Sequence, residues 1–228
     1  MRAVVKLGGA LFPRDLEASP IKSMAKTLAE FASRENNKLV IVVGGGANAR
    51  AYIETARKLE ADESTSDLLG IQITKANAQL MTVALESEGV SAPVASDVAM
   101  LPSLLRTSQV VVIGGLQPGQ STNAVAALAS EITRTNILVN ATDVEGVYTE
   151  DPKKNRQARL LKTISAAKLL EMALAGHVFA GSYELLDPIA IKTLQRSRIP
   201  TRVVSILDPE NIVKAIDGKS VGTLVVYS

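Results

Sequence analysis

Short apolar runs that end in glycine recur along the first half of the chain. Three of them occupy residues 3–7, 39–43 and 110–113. Apolar runs of this length, bounded by glycine, are typical of strands that are buried on both faces of a sheet. Helical patterns separate the runs, and this alternation predicts a parallel sheet covered by helices. Further strands are predicted at residues 137–141, 202–206 and 223–227.

The first predicted helix follows residue 19. Ser19 is of a residue type that can cap a helix, and Pro20 suits the first turn. Apolar residues then recur at helical spacing on one side, at Ile21, Met24, Leu28, Phe31 and Ala32. This pattern predicts a helix that packs one face against the sheet.

A second helical segment, at residues 68–83, carries apolar residues on more than one face. A helix of this kind is either deeply buried or in contact with another subunit. Burial is the commoner case, so the pattern leaves both alternatives open.

The composition fits a globular protein of one or two domains, because 46% of the 228 residues are hydrophobic and 21% are charged. There is no internal repeat and no low-complexity segment. A division is possible near residues 120–143, but the composition does not change there. We therefore expect one domain over residues 1–228, with an N-terminal lobe at about 1–120 and a C-terminal lobe at about 121–228 that share one sheet.

Charge and cysteine content exclude several classes of function. The formal net charge is only +2, and no run of Lys or Arg is long enough to hold a nucleic-acid backbone. The absence of Cys excludes disulfides, thiolate metal sites and a cysteine nucleophile. The N-terminus goes straight into a strand pattern, and no window is apolar enough to span a membrane, so a cytoplasmic location is expected. His177 is the only histidine, which makes a histidine metal site improbable.

The glycine clusters follow the strands at their carboxyl ends, where ligands bind in open α/β sheets. One such cluster alone could be an ordinary tight turn, but three favour a phosphate-rich set of ligands. Lys6 stands two residues before the first cluster, at the end of the first strand. An ammonium beside backbone N–H groups is what a transferring phosphoryl group requires. An exposed strand lysine is the alternative.

The second cluster, residues 44–46, leads from a strand into a helix and directs backbone N–H groups at an anion. Arg50 lies one helical turn further on and can bind phosphate oxygens with its guanidinium group. A dinucleotide fingerprint would need glycine where Ala49 stands, so NAD binding is disfavoured.

The third cluster opens the segment GGLQPGQST at residues 114–122. Its spacing matches a Walker A loop, except that Gln120 occupies the position of the lysine. Backbone N–H groups and the hydroxyls of Ser121 and Thr122 can still bind a phosphate or a sugar. The segment therefore predicts a binding loop of another kind.

Two segments in the second half carry further candidates. Thr142, Tyr148 and Asp151 follow the strand at 137–141, and Tyr148 can offer a flat face to a base, although an ordinary polar loop is the alternative. Asp187 and the proline after it predict a helix start, with Lys192 about one turn later.

Taken together, these segments resemble the amino-acid kinase superfamily and, within it, the uridylate (UMP) kinases of the archaeal type. The resemblance spans nearly the whole chain and rests on six motifs in the family's order: VVKLGGA, IVVGGGANAR, SDLLGIQITKANA, GGLQPGQSTNAVAAL, NATDVEGVYTEDPKK and AGSYELLDPIAIKTLQRS. It implies an α/β/α sandwich with an eight-stranded, mainly parallel sheet. It also implies transfer of the γ-phosphoryl group of ATP to UMP with Mg²⁺, a homohexamer built as a trimer of dimers, and feedback by UTP.

The resemblance also assigns three sets of residues. The catalytic set is Lys6, to which we add Asp187 and Lys192 as further candidates. The ATP-binding set is Gly9, Ala10, Gly46, Arg50, Thr142, Tyr148 and Asp151. The UMP-binding set is Gly45, Asp67, Gly115, Leu116, Gln117, Pro118, Gly119, Gln120 and Ser121.

One position departs from the family pattern. Many members carry aspartate where Asn123 stands, and that acid organises the catalytic lysines. Asn123 has no charge to supply, so Asp187 becomes the candidate acid for fixing Lys6.

Two other functions remain open at this stage. A kinase of the same fold could act on isopentenyl phosphate, carbamate or acetylglutamate instead. An isopentenyl phosphate kinase would carry a histidine after the second cluster, and residues 47–91 contain none. A non-catalytic nucleotide-sensing module is the second alternative, and Lys6 with three glycine loops disfavours it.

Overall fold

The computed structural model describes residues 1–152, 155–175, 179–180 and 183–227. The strands in chain order are β1 (Arg2–Leu7), β2 (Lys38–Val43), β3 (Val94–Ala95), β4 (Val110–Ile113), β5 (Ile137–Thr142), β6 (Thr163–Ser165), β7 (Phe179–Ala180), β8 (Tyr183–Glu184), β9 (Thr201–Ser205) and β10 (Thr223–Val226). The α-helices are α1 (Ala18–Ser33), α2 (Gly46–Lys58), α3 (Glu63–Ser87), α4 (Leu101–Thr107), α5 (Thr122–Ile132), α6 (Ala166–Leu174), α7 (Pro188–Ser197) and α8 (Glu210–Ile216).

Eight strands form one sheet in the order β3-β4-β2-β1-β5-β9-β10-β6, and β7 pairs with β8 separately. All neighbours in the large sheet are parallel except β9 and β10, which are antiparallel. β1 lies at the centre, between β2 and β5. The chain therefore builds one half of the sheet outward from β1 before it crosses to β5. This crossing point is where ligands bind in open sheets of this type.

Helices cover both faces of the sheet. Alternate residues of the central strands pack on α1, α3 and α8 on one face, with Phe31, Met81 and Leu85 fully buried among them. The other face packs on α4, α5, α6 and α7, where Leu138 and Leu194 are fully buried. Burial on both faces explains why these strands read as continuous apolar runs.

The expected three-layer α/β/α fold with an eight-stranded, mainly parallel sheet is confirmed. The six predicted strands agree with β1, β2, β4, β5, β9 and β10 to within one residue at each end. The short strands β3, β6, β7 and β8 were not predicted from the sequence. The expected cap of the first helix is wrong. Glu17 is the N-cap, and Ser19 lies inside the first turn of α1. The backbone becomes helical before Ser19 is reached, so its hydroxyl lies within the helix.

None of the helices formed by the described residues has both the length and the apolarity needed to cross a bilayer.

Candidate functional site

The first two glycine loops touch each other beyond the ends of β1 and β2. The N–H of Gly8 donates to the carbonyl of Ala141 at 2.8 Å, and the N–H of Gly44 donates to the carbonyl of Leu7 at 3.0 Å. A Cβ atom on Gly9 would lie only 2.7 Å from the Cα of Gly46. The two backbones therefore meet without intervening side chains, and this leaves their N–H groups close together at the end of the sheet.

Lys6 lies partly buried at the carboxyl end of β1, beside these loops. It is in register with Asn140 of β5, so the two side chains leave the sheet on the same face. Burial lowers the pKa of Lys6 to about 8, and the carboxylates of Asp143 and Asp187 oppose this by raising it. The site thus holds an ammonium that two carboxylates keep charged in a poorly hydrated place.

Asp187 joins two helix N-termini next to Lys6. Its Oδ1 atom caps α7 by accepting from the N–H groups of Ile189 and Ala190, at 2.9 and 3.0 Å. Its Oδ2 atom accepts from the hydroxyl of Ser121, which itself caps α5. The prediction that Asp187 begins a helix is confirmed. The positive ends of both helix dipoles point toward the place where Lys6 lies, an arrangement that favours bound anions.

Sequence reasoning missed two residues at this centre. Asp143 follows β5 directly, and its carboxylate acts on Lys6. Asn140 is almost fully buried, and its side-chain N–H donates to the carbonyl of Leu185 at 2.5 Å. This bond holds the segment that leads to Asp187. A polar residue inside the apolar run ILVNAT was the available signal for Asn140, because such runs seldom carry buried amides.

The third loop is held to α3 by two hydrogen bonds. The N–H of Gly115 donates to the hydroxyl oxygen of Thr74 at 2.6 Å, and the N–H of Gly119 donates to Oδ2 of Asp67 at 2.8 Å. Gly119 has a φ of +74°, which glycine adopts without strain. The segment from Gly115 to Ser121 therefore forms one ordered loop between α3 and the Lys6 centre.

A cavity of about 680 Å³ opens beyond the ends of β5 and β9. Its lining mixes apolar and polar side chains and includes Tyr148, Leu160, Leu207, Asp208, Asn211 and Val221. The hydroxyl of Tyr148 donates to Glu145 at 2.9 Å, which fixes its ring in the wall. A volume of this size suits a nucleoside-sized ligand. Of the side chains predicted for this end, Tyr148 lines the cavity, whereas Thr142 and Asp151 lie outside its lining.

Other predicted residues are placed less centrally. Ala10 is exposed on the first loop, and Arg50 is half-buried in the second turn of α2. Lys192 lies on the exposed side of α7, whereas Ala190 and Leu194 of the same helix are buried against the sheet. The catalytic role of Lys192 stays a prediction. His177 and the two lysines at 153–154 lie outside the described residues.

The lowered pKa of Lys6 predicts a pH dependence. The amine is a cation only below its pKa, so a reaction that needs the ammonium loses rate as pH rises through about 8. We expect kcat/KM, which reports the protein before the varied substrate binds, to fall about tenfold per pH unit above that value. In Asp187→Asn, one carboxylate that supports the charge is gone, so the fall should begin at lower pH. A profile that stays flat to pH 9.5 would contradict this role of Lys6.

Among the described residues, no group of three or more His, Asp or Glu side chains is arranged to hold a metal ion. Asp143 and Asp187 are the carboxylates that act on Lys6. One or two carboxylates with substrate phosphates are the usual protein share of a magnesium site. Two carboxylates of this kind therefore fit Mg²⁺ that is also held by bound phosphates.

Known proteins match the chain over nearly its full length. The model of the amino acid kinase family matches residues 1–205. A uridylate kinase from Methanospirillum hungatei is 38% identical over 97% of this chain and 93% of its own length. A uridylate kinase from Hyperthermus butylicus is 42% identical over 90% of this chain and 89% of its own.

Solved structures give the same match. The crystal structure of uridylate kinase from Archaeoglobus fulgidus has a TM-score of 0.87 at 37% identity, covering 99% of this chain and 100% of that one. The UMP kinase from Bacillus anthracis has a TM-score of 0.85 at 19% identity, covering 99% and 95%, and it shares the fold. The resemblance inferred from the sequence motifs is confirmed.

Proposed function

The chain belongs to the amino acid kinase family, and from this we propose that it is a uridylate kinase that transfers the γ-phosphoryl group of ATP to UMP, giving UDP and ADP. The observation that carries the proposal is the position of Lys6, where two glycine loops and two helix N-termini converge. We place the reaction in pyrimidine nucleotide biosynthesis, in the cytoplasm, and take it to be reversible.

The two nucleotides occupy opposite sides of Lys6 in this proposal. ATP lies with its phosphates along Gly9, Ala10 and Gly46, near Arg50, and its nucleoside end enters the cavity lined by Tyr148. UMP lies against Gly45 and the loop from Gly115 to Ser121. Asp67 already accepts from Gly119 through Oδ2, so Oδ1 can accept from a ribose hydroxyl. Thr142 and Asp151 lie outside the cavity lining and remain predicted ATP contacts.

Catalysis needs positioning and charge rather than a side-chain nucleophile. The phosphate of UMP attacks the γ-phosphorus of ATP, and the bond from that phosphorus to the β,γ-bridging oxygen breaks. Lys6 stabilises the charge on the equatorial oxygens, and the clustered backbone N–H groups hold both phosphate chains in line. Asp187 orients Lys6 and holds the N-termini of α5 and α7 together. Lys192 stays a prediction without a structural contact that supports it.

Mg²⁺ enters this proposal as part of the ATP substrate. It would be held by the ATP phosphates with help from Asp143 or Asp187, and when bound it neutralises phosphate charge. Lys6 then has to stabilise only the transferring phosphoryl group, because Mg²⁺ would reduce the negative charge of the other ATP phosphates.

We also propose a homohexamer built as a trimer of dimers. Leu68, Leu69 and Val83 of α3 are 48%, 37% and 61% exposed, and helical periodicity places them within about 100° of one another. Apolar side chains that are exposed on one side of a long helix can be covered by a subunit contact. Light scattering at micromolar concentration should give a mass near six times 24.1 kDa, and a 24.1 kDa particle would contradict the proposal. We also propose that UTP inhibits the enzyme by feedback. Titration of UTP into the phosphoryl-transfer assay tests this.

The function is tested by measuring phosphoryl transfer from Mg·ATP to UMP, CMP, isopentenyl phosphate and acetylglutamate in parallel. Turnover with UMP at a kcat/KM far above that of the other acceptors is expected. Turnover only with another acceptor would keep the fold and replace the substrate. Binding of UMP without turnover would instead favour a nucleotide-sensing module.

A further inference from the structure

One face of α3 is directed at the glycine loops. Asp67, Gly70, Thr74 and Asn77 are spaced by three or four residues, so they lie in one row along the helix. Thr74 and Asn77 are only 6% and 5% exposed. Polar side chains buried to this degree are retained where they make specific hydrogen bonds.

Thr74 lies between the second and the third glycine loop. Its hydroxyl accepts from the N–H of Gly115 at 2.6 Å and donates to the carbonyl of Ile71 at 2.7 Å. A Cβ atom on Gly114 would lie 2.8 Å from this hydroxyl oxygen, and one on Gly45 would lie 3.4 Å from the γ-methyl group. One side chain therefore contacts both loops through chemically different atoms.

Asn77 holds the second loop one turn further along α3. Its side-chain N–H group donates to the carbonyl oxygens of Gly44 and Gly45, at 2.9 and 3.2 Å. These carbonyls point back at α3, while the N–H of Gly44 donates to the carbonyl of Leu7 in β1. The second loop is therefore fixed to both α3 and β1.

We propose that Thr74 and Asn77 are positioning residues that set the spacing between the second and third glycine loops before UMP binds. The inference rests on the proposed function, because that function assigns both loops to UMP. Neither residue has to touch the nucleotide. They act by ordering the loops in advance, which lowers the entropy that UMP binding would otherwise lose.

Thr74→Val tests this most directly, because valine keeps the γ-methyl contact with Gly45 and removes the acceptor for Gly115. The buried N–H group of Gly115 is then left without a partner. This destabilises the ordered third loop enough to raise KM for UMP by about tenfold. KM for ATP should change less than about twofold, since the ATP loops do not depend on this bond. Thr74→Ser keeps the hydroxyl and should restore KM for UMP to near the wild-type value.

Thr82→Val is the matched control on the same helix. Thr82 donates one hydrogen bond to the carbonyl of Ala92 at 3.0 Å, away from all three loops. It should lower the melting temperature about as much as Thr74→Val but leave both KM values unchanged. Equal kinetic effects from the two variants, or a parallel change in kcat and both KM values, would assign Thr74 a merely structural role.

Hydrogen exchange separates this inference from the proposed function. Peptides covering residues 110–121 should exchange about tenfold faster in Thr74→Val than in the wild type or in Thr82→Val, with or without nucleotide. If the wild type fails to phosphorylate UMP but exchange responds in this way, the function is wrong and the positioning role stands. Unchanged exchange and unchanged KM for UMP would overturn the role, and Thr74→Ala serves as the variant if valine cannot be accommodated.

Discussion

Replacing Lys6 by alanine is expected to lower kcat for phosphoryl transfer by about 10² to 10³-fold, the usual effect of removing one preorganised charge from a transition state. The ammonium lies at the carboxyl end of β1, beside the loops that would hold both phosphate chains. Asp143 and Asp187 would remain with no cation between them and would repel the incoming phosphates. UMP should still bind, because its loop and Asp67 do not depend on Lys6.

The measurement combines initial rates at saturating Mg·ATP and UMP with calorimetric titration of UMP. Lys26→Ala is the matched control, since it removes an exposed lysine of α1 that has no part in the proposed site. It should retain the wild-type rate and affinity. Wild-type turnover in Lys6→Ala would remove Lys6 from the mechanism, and loss of UMP binding would assign it to substrate binding instead.

The sheet and most of its strands could be predicted because their signal is local. Parallel strands buried on both faces are continuous apolar runs, and the glycines that follow them mark the turn toward each helix. The start of α7 could be predicted for the same reason, because Asp187 and Pro188 form the cap and the beginning of the first turn by themselves. The cap of α1 was predicted two residues too late, because Ser19 is of a preferred capping type whereas Glu17, the observed N-cap, makes no side-chain cap hydrogen bond. Helix boundaries that differ by one or two residues are not fixed by such local signals.

The contacts around Lys6 could not be read from sequence in the same way. Asp143, Asp187 and Lys6 are far apart along the chain and meet only because β5 pairs with β1 and α7 packs beside them. Thr74 and Asn77 belong to a helix whose pattern suggested burial or a subunit contact. Their partners are backbone atoms of the glycine loops, and such partners leave no mark in the sequence.

The acids that act on Lys6 could also be predicted only in part, because Asn123 carries no charge. Asn123 lies at the start of α5, where the resemblance implies an aspartate, and Asp187 was the acid expected to act in its place. The structure directs two carboxylates at Lys6, of which Asp187 was expected and Asp143 was not. Asp143 escaped notice because it lies in a polar turn, where aspartate is common for reasons of backbone hydrogen bonding.

Gly46→Ala should damage the phosphate-binding part of the site severely, although it adds only one methyl group. Gly46 has a φ of +68°, which costs alanine about 1–2 kcal/mol. Its Cβ would also collide with the carbonyl oxygen of Phe12 and would lie 3.0 Å from that of Gly9. The Phe12 carbonyl cannot move away easily, because it accepts from Ala47 at 3.2 Å and the Phe12 ring is fully buried.

The overlap adds about 1–3 kcal/mol, so the free energy of unfolding should fall by about 2–5 kcal/mol. For a chain of this size the melting temperature should fall by about 5–15 °C. The first two loops must also separate, so KM for ATP should rise at least about tenfold, since Gly9 and Gly46 are proposed to lie together along its phosphates.

Gly89→Ala separates the cost of the positive φ from the cost of the steric overlap. Gly89 has a φ of +79°, close to that of Gly46, but nothing lies within 4 Å of the position its Cβ would take. It should therefore lose only the backbone share of about 1–2 kcal/mol and keep wild-type kinetics. The difference between the two variants, measured by thermal unfolding and by KM for ATP, isolates the contact between the first and second loops. If the variants behave alike, the loops do not meet as closely as the Gly9 and Gly46 backbones indicate, and the phosphate site must be built in another way.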